Sequence, residues 1–258
     1  MFYKLDIDQK GVATVTLNRP ELHNAFNDEL IRELITCFSD LEKNSGVRLV
    51  ILTGEGKSFC AGADLNWMKR MKDYSHAENV KDSQNLAELF TVINRFSRPV
   101  IGKINGSALG GGAGLVACCD YVVAVDTAMI AFTEVRLGLL PAVISPFVIA
   151  KIGESHARAT FLSGAKISMA RAFVMGLVHQ VTTAEALDSE IEKVVADFLL
   201  AGPVAAVKAK ELINTVIRSE SIEGARDYTC ETISTARAST EGQEGMSALL
   251  EKRKASWY

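Results

Sequence analysis

Apolar and polar positions along the first half of the chain follow the two periods that distinguish strands from helices. Residues 12–17 alternate as in a strand, whereas apolar residues at 30, 31, 34, 35, 38 and 41 recur with helical spacing. Asn27 is placed to cap that helix. Strands alternating with helices predict an α/β core. We predict strands at 1–8, 12–17, 47–52, 99–104, 121–125 and 129–133, a loop at 53–63, and helices at 28–41, within a polar region at 64–96, and after residue 112.

The second half of the chain changes to a helical pattern, with no strand signal after Val181. Gly202 and Pro203 interrupt it, and Pro203 suits a first helical position. We expect a core at 1–200 and a helical region at 201–258 that acts as a lid or an oligomerisation element. The helices are predicted at 145–152, 154–163, 168–174, 185–200, 204–218, 221–238 and 242–253.

Composition and charge narrow the class of protein. Hydrophobic residues make up 48% of the chain, charged residues 23%, and the net charge is −3, as in an ordinary globular protein. This balance does not favour nucleic acid or an anionic membrane as a partner. No apolar run approaches the roughly 20 residues of a membrane span. The N-terminus resembles neither a secretory signal nor a transit peptide, so we expect a cytoplasmic protein.

Cysteine and histidine spacing indicates neither a disulfide framework nor a metal site. The five cysteines include no Cys-x-x-Cys pair, and the four histidines have no metal-ligand spacing. Cys60 lies in a glycine-rich loop, but no base is placed to activate it. We therefore expect no metal and no redox cofactor.

A glycine-rich junction at 103–120 is the strongest chemical signal in the chain. An apolar strand pattern ends near Ile104, glycines follow at 110, 111 and 112, and a helical pattern of small residues begins after them. Glycines at a helix start let backbone N–H groups approach an anion or a developing oxyanion. The junction lacks the Gly-Lys-Ser/Thr of a phosphate-binding loop and the Gly-x-Gly-x-x-Gly of a dinucleotide fold. The alternative is that the glycines serve only close packing.

The loop predicted at 53–63 also follows a buried strand. Parallel strands bring the loops at their carboxyl ends to one edge of a sheet, where α/β proteins bind ligands. Two backbone N–H groups aimed at one carbonyl oxygen form an oxyanion hole. We therefore expect residues 58–65 and the glycine junction to contribute to one site.

Several segments spread over the whole chain form one recognisable set. They are Thr-Leu-Asn-Arg-Pro at 16–20, Asn-Ala at 24–25, Ser-Phe-Cys-Ala-Gly-Ala-Asp-Leu at 58–65, Asn-Gly-Ser-Ala-Leu-Gly-Gly-Gly at 105–112, Cys-Asp at 119–120, Phe-Thr-Glu-Val-Arg-Leu-Gly at 132–138, and residues 241–254. Together they resemble the crotonase, or enoyl-CoA hydratase/isomerase, superfamily. The resemblance implies a spiral of ββα turns and a C-terminal helical region that builds trimers or dimers of trimers. It also implies an acyl-CoA substrate, so that coenzyme A arrives as part of the thioester rather than as a cofactor.

By matched position, the resemblance assigns the oxyanion hole to the N–H groups of Ala63 and Gly111, and the acid/base role to Glu134. Without the resemblance, Glu134 would be interpreted as a surface glutamate paired with Arg136. The residues that the resemblance places around the substrate are Ala61, Asp64, Leu65, Gly110, Gly114 and Ala142.

Gly114 departs from the pattern of the two-glutamate hydratases in this family, which carry their first glutamate there. A single base can remove a proton and return it elsewhere. The departure therefore shifts the interpretation from a hydratase toward an isomerase without excluding a hydratase. We expect the glycine to face the acyl pocket and to leave room that a glutamate side chain would fill.

Residues 59–71 and 134–148 resemble bacterial methylglutaconyl-CoA hydratases of leucine breakdown, a branch that also lacks the first glutamate. Ala142, Ile144 and Pro146 replace a glycine-rich loop there. A substrate with a free carboxylate would benefit from a cation, for which Lys69 and Arg70 are candidates, although both could lie on a solvated helix face. We predict a hydratase of a short branched enoyl-CoA such as 3-methylglutaconyl-CoA. The alternatives are an enoyl-CoA isomerase and a non-catalytic acyl-CoA- or RNA-binding member of the fold.

Overall fold

Ten strands and ten α-helices make up the computed structural model, which describes residues 1–258. The strands are β1 (Tyr3–Ile7), β2 (Val12–Leu17), β3 (Leu49–Gly54), β4 (Ser58–Cys60), β5 (Val100–Ile104), β6 (Ser107–Leu109), β7 (Tyr121–Val125), β8 (Met129–Ala131), β9 (Ile167–Ser168) and β10 (Gln180–Thr182). The helices are α1 (Asp28–Lys43), α2 (Leu65–Met71), α3 (His76–Asn94), α4 (Gly111–Cys118), α5 (Ser145–Phe161), α6 (Met169–Val174), α7 (Leu187–Leu199), α8 (Pro203–Val216), α9 (Ile222–Ala238) and α10 (Thr240–Leu250).

Two sheets share the strands of the α/β region. The larger has the order β1-β2-β3-β5-β7-β10, with β1 antiparallel to β2 and the other pairs parallel. The smaller has the order β4-β6-β8-β9, in which only β8 and β9 are antiparallel. Consecutive strands alternate between the sheets: β3, β5 and β7 lie in the larger sheet, and the strands that follow them, β4, β6 and β8, lie in the smaller. After each such pair the chain enters a helical segment. The predicted spiral of ββα turns is therefore confirmed.

Helix α1 shows how the hydrophobic pattern selects the buried face. The Asn27 side chain accepts a hydrogen bond from the Leu30 N–H, 2.9 Å away, so the predicted cap is confirmed. Leu30, Leu34 and Phe38 recur on one face and are buried. Burying each such side chain contributes about 1.5–3 kcal/mol of transfer free energy. Replacing Leu34 with alanine would remove one of these contributions and leave a cavity.

Two local elements depend on contacts that the hydrophobic pattern does not show. Ser58–Cys60 form strand β4 within the predicted loop, because they pair with β6. The polar region at 64–96 contains two helices, since the Ser75 side chain and Glu78 form a capping box that starts α3. Gly153, at φ 70°, interrupts α5, which agrees with the break predicted between residues 152 and 154.

The structure divides into two compact units. One comprises Met1–Phe96 with Val100–Ile191, and the other comprises Ser97–Pro99 with Glu192–Tyr258. Helices α8, α9 and α10 belong to the second unit, where the Glu241 carboxylate accepts hydrogen bonds from the N–H groups of Val204 and Ala205 at the start of α8. None of the helices has both the length and the apolar character needed to cross a membrane.

Candidate active site

The loop that carries Ala63 runs from β4 into α2. The N–H of Asp64 donates to the carbonyl of Phe26 at 3.0 Å, and the N–H of Phe26 donates to the carbonyl of Gly62 at 2.8 Å. These bonds form an isolated parallel bridge between Phe26 and Ala63. The N–H and C=O of a trans peptide point in opposite directions. The Ala63 N–H therefore points away from Phe26, and it donates to no acceptor within the chain.

The Asp64 carboxylate is engaged within the protein rather than open to a substrate. The whole residue is 6% exposed. One carboxylate oxygen accepts from the N–H groups of Asn66 and Trp67 and caps α2, and the other pairs with Arg19 at 2.7 Å. Burial alone would raise the pKa of Asp64, but these hydrogen bonds and the Arg19 charge outweigh burial and hold the pKa below its usual value. The carboxylate is thus fully engaged inside the protein.

The glycine junction places the second predicted donor, the N–H of Gly111, beside the loop that carries Ala63. Gly110 precedes α4 and has a φ of 52°. This positive φ is a conformation that glycine adopts without steric strain. The N–H of Gly111 has no acceptor within the chain. A β-carbon on Gly62 would lie 2.8 Å from the carbonyl oxygen of Leu109 and 3.7 Å from the Gly111 nitrogen. The two loops are therefore in contact, as the sequence predicted.

Close packing also requires glycine at this junction. A β-carbon on Gly111 would lie 2.3 Å from Cζ of Phe26, and one on Gly112 would lie 2.3 Å from the carbonyl oxygen of Cys60. Both distances are shorter than van der Waals contact permits. The same glycines thus permit close packing and leave the N-terminus of α4 open. The oxyanion-site interpretation and the packing interpretation of these glycines therefore do not exclude each other.

Glu134 lies beside the glycine junction. It begins a 3₁₀ turn, Glu134–Leu137, after β8. A β-carbon on Gly110 would be 3.4 Å from Oε1 of Glu134, so the carboxylate lies directly against that glycine. Oε2 is buried and has no hydrogen-bond partner. Burial raises the pKa of the Glu134 carboxyl above its usual value.

The surface interpretation of Glu134 is wrong, because its carboxylate does not pair with Arg136. The Nε of Arg136 instead donates to the carbonyl oxygen of Ser163 at 3.1 Å. A buried carboxylate without a cation partner destabilises the folded protein, because its charged form is poorly solvated. Groups with perturbed pKa values of this kind are concentrated at functional sites.

Gly114 faces packed side chains, so the expected room beside it is absent. The residue is buried within α4. A β-carbon there would lie 2.4 Å from Cγ2 of Ile144 and 3.0 Å from Cε1 of Phe90. Ile144 is itself 2% exposed. The side chain of Ile144 therefore occupies the space that a longer side chain at position 114 would need.

The remaining predicted residues fall into two groups. The N–H of Ala61 donates to the carbonyl oxygen of His23 at 3.0 Å, and Arg70 forms an ion pair with Asp28, so both groups are already engaged. Leu65, Lys69 and Ala142 are exposed, and so is the Arg70 side chain despite its ion pair. No three His, Cys, Asp or Glu side chains come together as metal ligands.

Sequence reasoning did not identify Arg19 and Phe26 as parts of the site. Arg19 is 6% exposed and Phe26 is 1% exposed. Arg19 falls within Thr-Leu-Asn-Arg-Pro, where a charged residue beside a proline predicts an exposed turn. Its burial follows from its pairing with Asp64, 45 residues later, which no local pattern reveals.

Comparison with known proteins assigns the chain to a family. Residues 8–258 match the family model described as enoyl-CoA hydratase/isomerase. A putative enoyl-CoA hydratase of Thermus thermophilus is 31% identical over 96% of this chain and 98% of its own length. The crotonyl-CoA hydratase of Syntrophomonas wolfei is 31% identical over 96% and 95%, respectively. A crystal structure of a putative enoyl-CoA hydratase/isomerase (crotonase) from Legionella pneumophila superposes with a TM-score of 0.94 at 36% identity, covering 100% of this chain and 99% of that one.

Proposed function

Because this chain belongs to the enoyl-CoA hydratase/isomerase family, we propose that it is a hydratase that adds water to a short branched α,β-unsaturated acyl-CoA. Our preferred substrate is 3-methylglutaconyl-CoA, an intermediate of leucine breakdown. The observation that carries the proposal is the position of the Glu134 carboxylate. It lies against Gly110 with a buried, unpartnered oxygen, near the Ala63 and Gly111 N–H groups, which have no acceptor within the chain.

The proposed reaction uses these groups in sequence. The N–H groups of Ala63 and Gly111 donate to the thioester oxygen and stabilise the negative charge that develops on it. Glu134 accepts a proton from water as the water oxygen bonds to the β-carbon of the substrate. The resulting enolate then takes that proton from Glu134 at the α-carbon. The net change is addition of one water molecule, and the carboxylate is regenerated.

The raised pKa of Glu134 favours this role. A general base works best when its pKa approaches the working pH, because it then combines basicity with ionisation. Burial shifts the Glu134 pKa in that direction. Since no second carboxylate projects from Gly114, Glu134 serves both proton transfers.

We expect kcat/KM to fall on the acid side with a midpoint above about 4.3, the ordinary glutamate pKa. Glu134 must be ionised to act as a base, and its raised pKa means that it becomes protonated at a higher pH than usual. The measurement is a pH–rate profile, with circular dichroism at each pH as a control for unfolding. A midpoint at or below the ordinary value in folded protein would contradict this role.

An enoyl-CoA isomerase is the second candidate, and the contact between Gly114 and Ile144 favours it. Moving a double bond requires one base to carry a proton between two carbons, without a positioned water. A panel of enoyl-CoA thioesters distinguishes the two reactions. Hydration removes the absorbance of the conjugated thioester, whereas isomerisation of a β,γ-enoyl-CoA creates it. We expect loss of absorbance, with the highest kcat/KM on the branched substrate that carries a free carboxylate.

Lys69 is our proposed partner for that carboxylate. Arg70 is engaged by Asp28 and Tyr74, whereas Lys69 is exposed on α2, directly after the Ala63 loop. We expect Lys69→Met to raise KM for 3-methylglutaconyl-CoA more than for an uncharged branched enoyl-CoA. Lys72→Met on the same exposed segment is the matched control. An equal effect on both substrates would remove Lys69 from the acyl site.

We also propose that the helical unit assembles into a homotrimer or a dimer of trimers. A groove of about 630 Å³ is lined by residues of α8, α9 and α10 and the C-terminal Trp257. Exposed apolar side chains lie on the same helices, and such patches mark association surfaces. Sedimentation at micromolar concentration is expected to give three or six chains, and a compact monomer would refute the proposal. The exposed residues are Val204, Ile213, Val216, Ile222, Ile233, Met246, Leu249 and Leu250.

A further inference from the structure

We propose that the buried ion pair between Arg19 and Asp64 is a positioning device that fixes the direction of the Ala63 N–H and thereby sets the strength of the oxyanion hole. This inference rests on the proposed function. In this proposal neither side chain contacts the substrate. Both act through the backbone that carries the proposed donor.

Arg19 spans two segments that meet beside Ala63. One guanidinium nitrogen donates to the carbonyl oxygen of Ala25, and the other lies 2.7 Å from Asp64. The N–H of Arg19 donates to the side-chain oxygen of Asn24 at 2.9 Å, which fixes the backbone at the base of the guanidinium. The guanidinium is planar and its donors form a rigid fork, so it can set the separation of two acceptors.

The acceptors of Arg19 flank the bridge that orients Ala63. Ala25 precedes Phe26 in the sequence, and Asp64 follows Ala63. Phe26 and Ala63 are the two members of the parallel bridge. Because the bridge is parallel, Ala25 and Asp64 lie toward its opposite ends, and the guanidinium that contacts both spans it. If the ion pair opened, the bond from the Asp64 N–H to the Phe26 carbonyl would lose its lateral support, and the Ala63 peptide could rotate.

Phe26 links this arrangement to the second donor. Its ring packs against Gly111 so closely that a β-carbon there would lie 2.3 Å from Cζ. The ring also makes an edge contact with Trp67, at a centroid distance of 6.4 Å. A shift of the bridge would therefore change the spacing of the Ala63 and Gly111 N–H groups. Misplacement by about 1 Å can lower a rate about a hundredfold.

A contribution to folding stability does not by itself explain the buried pair of Arg19 and Asp64. Both side chains are 7% exposed. Well-packed apolar residues often replace a buried ion pair without loss of stability, because burying two charges costs nearly as much as their attraction returns. Arg19 Nε, moreover, is buried without a partner. A geometric role accounts for a costly pair at this position.

Two single variants separate position from charge. Asp64→Asn keeps the size and the cap of α2, since asparagine is a good cap, but removes the anion. Arg19→Lys keeps the cation but cannot span both acceptors. Leu34→Ala, on the buried face of α1, is the control for loss of stability through a core cavity.

The readouts are kcat and KM on the preferred enoyl-CoA, and the carbonyl stretching frequency of bound butanoyl-CoA labelled with carbon-13 at the thioester. Two N–H donors polarise the carbonyl and lower this frequency. We expect both variants to lose about tenfold to a hundredfold in kcat, with KM changed less than about threefold, and to lose much of the frequency shift. Leu34→Ala is expected to lower Tm and to keep both the frequency shift and kcat.

Folded Arg19→Lys and Asp64→Asn proteins with kcat within about threefold of wild type and an unchanged carbonyl shift would overturn the proposal. If the single variants do not fold, Arg19→Gln/Asp64→Asn, which buries no charge, is measured by the same criteria. Wild-type protein that shows the shift but hydrates no thioester would contradict the proposed function alone. Wild-type protein that shows no shift would contradict the oxyanion hole and this inference together.

Discussion

Replacing Glu134 with glutamine is expected to lower kcat at least about a hundredfold while KM for the enoyl-CoA changes little. Glutamine keeps the shape of the side chain but cannot accept a proton. The only other carboxylate expected from two-glutamate hydratases is absent, because position 114 is glycine. No neighbouring group can therefore take over both proton transfers.

The same substitution is expected to stabilise the fold at neutral pH. A folded-state pKa raised above the unfolded value contributes stability that is present below the unfolded pKa and is lost as the pH rises through the folded pKa. At pH 7 the ionised Glu134 therefore opposes folding, and a neutral glutamine removes that cost.

The measurement is steady-state kinetics together with thermal unfolding at pH 7. Glu154→Gln, at an exposed position on α5, is the matched control and is expected to change neither property appreciably. Retention of more than about a tenth of the wild-type kcat in Glu134→Gln would show that another group is the essential acid/base.

Placing a glutamate at Gly114 is expected to damage the enzyme rather than to restore a two-glutamate hydratase. The first side-chain carbon would already lie 2.4 Å from Cγ2 of Ile144, which is shorter than any real contact. Overpacking of this kind costs about 1–3 kcal/mol. Burying an additional carboxylate without a partner adds to that cost. We expect a lower Tm and a reduced kcat/KM.

Two further variants identify Ile144 as the obstacle. Gly114→Ala places only one carbon against Ile144 and is expected to lower Tm less than Gly114→Glu. Gly114→Glu/Ile144→Ala removes Cγ2 and is expected to recover part of the lost stability. A rise in kcat/KM for Gly114→Glu without loss of Tm would mean that the pocket accepts a second carboxylate, and the single-glutamate mechanism would have to be abandoned.

The hydrophobic pattern predicted the strands and helices whose formation depends on neighbouring residues in the sequence. The alternation at 12–17 and the cap at Asn27 each lie within a few residues, and both are confirmed. β9 and β10 are too short to produce a pattern, because they exist by pairing with β8 and β7. Such strands depend on partners that are distant in the sequence.

The candidate site shows the same limit. Motifs identified Ala63, Gly111 and Glu134, and the structure brings their loops together. Contacts between distant segments determined the rest. The sequence predicts Asp64 to be a loop carboxylate near the substrate, whereas the structure pairs it with Arg19. The sequence likewise predicts open space beside Gly114, where the structure places the side chain of Ile144.

The most direct test of the hydratase claim follows the oxygen of water. Purified protein is incubated with 3-methylglutaconyl-CoA in water labelled with oxygen-18, and the product is analysed by mass spectrometry. We predict one labelled oxygen at the β-carbon, formed at a rate that Glu134→Gln lowers at least about a hundredfold. Turnover without labelled oxygen in the product, or labelling that persists unchanged in Glu134→Gln, would contradict a hydratase that uses Glu134 as its acid/base.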